Sequence, residues 1–130
     1  MNNTPIKSFE EACVALGYDP TKVLPDVSNM PEQDQKAITA FAKMCIIHRA
    51  LNGEWKADWG NYDQRKYYPW FDVEEKEEGS SGFGLSYNDY GCVRTGTDHG
   101  VRLFYPDADT AKYAGETFKD LYEDMILLPK

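Results

Sequence analysis

Carboxylates are the most abundant chemistry-bearing side chains here: 22 Asp and Glu stand against 14 Lys and Arg in 130 residues. Two of them can serve as general acid and base when burial drives their pKa values apart. The densest run is Glu74, Glu75, Glu77 and Glu78, broken by Lys76 and followed by Gly79, Ser80 and Ser81. That composition reads as a solvated connection. His48 and His99 have fifty residues between them, and Cys13, Cys45 and Cys92 contain no pair at zinc-knuckle spacing, so no metal centre is expected. His48 falls in an apolar helical pattern and Asp98 in a turn. No glycine-rich loop follows a strand to cradle phosphate, and no nucleophile sits in an elbow motif. The expectation is a protein with no catalytic residues and no cofactor.

The aromatic side chains carry more information. Between Trp55 and Tyr90 lie all three tryptophans and ten of the eighteen aromatic residues. Trp55, Trp59, Trp70 and Phe71 are expected to fill the space between helices and sheet, because large rings are usually mostly buried. The tyrosines Tyr62, Tyr67, Tyr68, Tyr87 and Tyr90 exceed what a small core absorbs, and phenols are enriched at protein interfaces. Trp55, Trp59, Tyr62, Tyr67, Tyr68, Trp70, Tyr87 and Tyr90 are therefore the candidate interaction surface. Its expected occupant is a protein partner or a second copy of the chain. The alternative is carbohydrate, stacked on Trp and Tyr faces. Single-stranded nucleic acid is a further reading, suggested by Arg65 and Lys66 ahead of Tyr67 and Tyr68. A net charge of −8 and a pI near 4.7 oppose it, and they exclude duplex nucleic acid, whose phosphates require clustered cations.

These rings must be held by elements that the sequence marks out. Ser8 and Glu11 have capping-box spacing ahead of Phe9, Cys13 and Leu16, and Gly17 ends that first helix. A loop from Asp19 to Asn29 carries Pro20 and Pro25, with Leu24 pinning it to the core. A second helix opens near Pro31. Ile38, Phe41, Cys45 and His48 recur along it at spacings of three and four, flanked by Met44, Ile47 and Leu51, until Asn52 and Gly53 stop it. Tyr67 to Val73 reads as a strand, with Pro69 confining it to an edge or a strand start. Phe83, Leu85 and Tyr87 alternate as a second strand, with Gly91 marking a bulge that re-aims Cys92 and Arg94. Val101, Leu103 and Tyr105 alternate as a third, joined to the second by a turn over 96–100 in an antiparallel hairpin. A closing helix starts at Asp107 or Asp109 and runs through Ala111, Ala114, Phe118, Leu121 and Met125, its small residues Ala111, Ala114 and Gly115 allowing close approach to the sheet.

The fold class this implies is α+β: two N-terminal helices, a small antiparallel sheet of about three strands with a β-hairpin, and a closing C-terminal helix, in a single domain over residues 1–130. A chain of this length buries roughly two-thirds of its unfolded surface without staples. The odd, scattered cysteines suit a reducing compartment. Met1 to Glu11 lacks an apolar signal core, and no run approaches the ~20 apolar residues of a membrane span. A soluble product with no membrane partner is expected.

The order of segments from Ile6 to Leu16, Pro31 to Leu51, Tyr67 to Phe71, Ser81 to Tyr87 and Gly100 to Leu121, the last with Tyr113, Ala114 and Phe118, resembles a group of small uncharacterised proteins of gut bacteria and their phages or prophages. The resemblance implies a phage-related accessory or assembly protein, cytoplasmic in the host cell or virion-associated. It transfers no catalytic residues.

Overall fold

The computed structural model describes residues 6–75, 83–97 and 102–128. Among these described residues, four helices and a two-stranded antiparallel sheet make it an α+β protein.

Helix α1 spans Phe9–Leu16. Extended Ser8 takes the Glu11 N–H on its hydroxyl at 3.1 Å, while the Glu11 carboxylate accepts from the Lys7 N–H at 2.6 Å, so two donors at the helix entrance are satisfied. Gly17 closes the helix at φ 79°, where a side chain would be strained. Helix α2, Glu32–Asn52, buries a stripe of Ala40, Met44, Ile47 and Leu51 at spacings of four and three. Phe41 and Cys45 flank the stripe half-buried. Ile38, expected on the buried side, is exposed. It lies nine residues before Ile47, two and a half turns at about 3.6 residues each, and so points away from the core. Leu24 does pin the preceding loop to the core.

Strands β1 (Lys66–Glu75) and β2 (Phe83–Val93) pair antiparallel from Lys66↔Val93 to Glu75↔Phe83. The expected bulge is at a different place. Trp70 faces Asp89 and Phe71 faces Tyr87, so the extra residue is Asn88, not Gly91. Gly91 serves another purpose: the ring of Tyr68 lies where a Cβ would stand. Pro69 is accommodated because both strands of a two-stranded ribbon are edges.

Among the described residues the expected third strand is not formed, and most of the turn of its hairpin, residues 98–100, lies outside them. Tyr105 makes an isolated bridge to Tyr67, with N–H···O bonds of 2.7 and 2.9 Å. Leu103, Phe104 and Tyr105 are all buried, at 1, 2 and 0% exposure, and three consecutive buried residues cannot alternate as a half-exposed strand does. The segment threads through the core instead. Asp98 and His99 lie outside the described residues, as do Glu77 and Glu78, while Glu74 and Glu75 end β1.

The closing helix is two helices. Asp107 caps α3 (Ala108–Thr117), taking the Thr110 N–H and hydroxyl on one carboxylate oxygen at 2.7 Å each. Phe118 leaves the helical region at φ −110°, ψ 27°, and α4 (Lys119–Ile126) follows. The break lets α3 lie on the sheet and α4 on α2 while Phe118 and Tyr122 both enter the core. Ala111 and Ala114 are fully buried, and a Cβ at Gly115 would fall 2.7 Å from atoms of Pro69 and Tyr87. The small-residue patch thus does bring the helix onto the strands.

Candidate functional site

Alternation gives the ribbon two faces. Tyr67, Pro69, Phe71, Val73 and Glu75 of β1 share the helix-facing side with Phe83, Leu85 and Tyr87: Phe71 packs on Tyr122 at 5.1 Å between ring centres, and Pro69 and Tyr87 flank Gly115. Lys66, Tyr68, Trp70, Asp72 and Glu74 share the outer side, where Asn88 donates to Asp72 at 3.1 Å and Ser86 to Glu74 at 3.0 Å.

The base of the outer face is covered. Tyr68 is buried under Phe104, and the loop after α2 folds over Lys66. Lys66 is fully buried with no carboxylate beside it among the described residues. Its ammonium donates to the carbonyls of Arg94 at 2.6 Å, Gln64 at 2.9 Å and Asn61 at 3.4 Å, and lies 5.1 Å from the Trp59 ring centre. Further along the ribbon the described side chains reach solvent. Trp70 on the outer side is 55% exposed, and Val73 and Phe83 on the inner side, beyond the helices, are each 54% exposed.

The aromatic residues singled out in the sequence do not form one surface. Trp55 and Trp59 line a crevice beside α2; Tyr62 is exposed, with the Arg94 guanidinium 4.8 Å from its ring centre. Tyr68 is buried and Tyr67 half-buried. Tyr87 packs on α3, and Tyr90 is exposed with its ring edge on Tyr67. Trp70 stands in solvent. The expectation that Trp55, Trp59 and Trp70 fill the space between helices and sheet is corrected: Trp59 and Trp70 are exposed, and the space is filled by Phe71, Leu85, Phe118 and Tyr122.

The crevice, of about 920 Å³, lies between the end of α2, residues 53–59 and residues 102–104. Arg49, Lys56 and Arg102 bring three positive charges to it against Glu54. None of the three forms an ion pair among the described residues, although Arg49 donates to the Tyr18 hydroxyl at 2.7 Å. His48 and Asn52 hold its inner wall through the Phe104 carbonyl, His48 Nε2 at 2.6 Å and Asn52 Nδ2 at 2.8 Å. A carbonyl only accepts, so both nitrogens donate. The 3.0 Å approach of Asn52 Nδ2 to His48 Nε2 is then that of two donors sharing one acceptor. Burial pushes the His48 pKa down, opposed by the Phe104 carbonyl and reinforced by Arg102 and Arg49, so the ring is held neutral. The Asn52 carboxamide oxygen is buried without a partner among the described residues, which costs roughly 1–3 kcal/mol.

Cys45 also lines the crevice, three residues before His48, but burial raises its thiol pKa and no hydrogen bond joins the two. A nucleophile and its base are not assembled here. Among the described residues no three His, Cys, Asp or Glu side chains converge as a metal would need, and no helix is long and apolar enough to cross a membrane.

The cationic character of the crevice escaped sequence reasoning. Cys45, His48 and Asn52 at i, i+3 and i+7 put one polar face on α2, a usable signal. Arg102 arrives from fifty residues away, which no local pattern announces. No protein-family model, curated protein or solved structure matches the chain.

Proposed function

We propose that the protein is a non-catalytic binding protein whose β-ribbon end seats in a protein partner, in the role of a phage-related accessory or assembly factor. One observation carries this: Trp70, midway along the outer face of the ribbon, and Val73 and Phe83, toward its far end on the inner face, are each more than half exposed. Large exposed rings and open strand edges favour association. The only cation in the two strands, Lys66, is buried, whereas Asp72, Glu74, Glu75 and Asp89 are exposed. The partner is therefore an apolar cleft rimmed by Lys and Arg, and a second copy of the same anionic ribbon is disfavoured by like charge. Carbohydrate stacking on the ribbon has less support, because Trp70 is the single indole of the two strands and the Arg94 guanidinium lies over the ring of Tyr62.

A photo-crosslinking residue at position 70, expressed in the encoding bacterium during phage induction, tests this against the same residue at position 14 on α1, where Val14 is 77% exposed. A discrete protein adduct from position 70 and none from position 14 is expected. Equal adducts from both, or none from position 70, would remove the reading.

A further inference from the structure

We propose that the crevice beside the end of α2 is a second, independent site that binds a nucleoside phosphate, its base against Trp55 and Trp59 and its phosphate on Arg49, Lys56 and Arg102. The charge distribution argues first. In a chain of net charge −8, three cations with no ion pair among the described residues border one crevice against one carboxylate, a local reversal of the field that draws in an anion. Guanidinium groups suit phosphate because two N–H donors meet two oxygens at once.

The two indoles argue second. A flat heteroaromatic ring gains from stacking on tryptophan, and stacking tolerates any base. A volume of about 920 Å³ accommodates a mononucleotide and falls within the range of small-molecule sites. The reading rests on neither the ribbon nor its partner, so either site can fail alone.

Titration of the whole purified chain with AMP, GMP, CMP and UMP, followed by tryptophan emission and melting temperature, tests the proposal. Adenosine, inorganic phosphate, ribose 5-phosphate, glucuronate and a neutral disaccharide serve as comparisons. Saturable quenching and a raised melting temperature are expected for nucleotides, at least about tenfold tighter than for adenosine or phosphate alone. Arg102→Glu and Lys56→Ala, both at exposed positions, should weaken binding about tenfold each while circular dichroism stays unchanged, and Trp70→Ala should bind like the parent. Absence of quenching and melting shift with every nucleotide at millimolar concentration would overturn the proposal. So would equal binding of the disaccharide, or Arg102→Glu binding that matches the parent.

Discussion

The Lys66 ammonium lies 5.1 Å from the centre of the Trp59 ring, sealed from solvent and ringed by three backbone carbonyls. A lone buried cation is ordinarily costly to desolvate. Here the carbonyl dipoles and the negative face of the indole replace its hydration, tying the loop over 58–64 to the first residue of β1 and to the turn after β2.

Lys66→Met should destabilise the fold by about 2–4 kcal/mol, because it orphans the Arg94 and Gln64 carbonyls. Trp59→Ala, which removes the ring over the cation and its edge contact with Phe104 but orphans no carbonyl, should cost less, about 1–2 kcal/mol. Urea denaturation followed by far-UV circular dichroism checks the ranking. A neutral Lys66→Met variant would show that the ammonium adds nothing to stability.

Gly115→Ala should cost about 1–3 kcal/mol, since the added methyl meets Pro69 and Tyr87 at 2.7 Å and α3 must back away from the ribbon. Gly91→Ala should also destabilise, by driving out the buried Tyr68 ring. Gly96→Ala, with open space at the Cβ, should be close to neutral. Thermal melts of the three variants separate these outcomes.

Protonating His48 should unfold the crevice wall. Its pKa is depressed in the folded state by burial, so its contribution to stability is full above the ordinary value of 6.5 and is lost as pH falls from there toward the folded value. Stability measured between pH 7.5 and about 5 should decline more steeply for the parent than for His48→Gln, which keeps a side-chain N–H for the Phe104 carbonyl. Parallel profiles would mean that His48 does not titrate with unfolding.

The helices were legible where local chemistry decides them. Ser8, Gly17, Gly53 and Asp107 each mark a terminus through a hydrogen bond or a permitted backbone angle that needs no tertiary partner. The sheet was less so. Val101, Leu103 and Tyr105 alternate like a strand, yet the core takes Leu103, Phe104 and Tyr105 together, and long-range burial overrides the local period. The break at Phe118 has the same origin, since two helix directions serve two different packing partners. The aromatic surplus did signal exposure, but composition cannot sort rings between a crevice, a core and a ribbon end. The cations that gather at the crevice come from separate segments, and only folding brings them together.

The ribbon claim is tested most directly by using the whole chain as bait in native lysate of the cells that encode it, in parent form, as Trp70→Ser with Phe83→Ser, and as Arg102→Glu. All three retain the buried core, so each should melt cooperatively. The parent and Arg102→Glu baits should recover the same partner, and the complex should re-form from purified components with affinity that falls as salt rises. The doubly substituted ribbon should lose the partner. Undiminished recovery by that ribbon variant would contradict the assignment of the binding face.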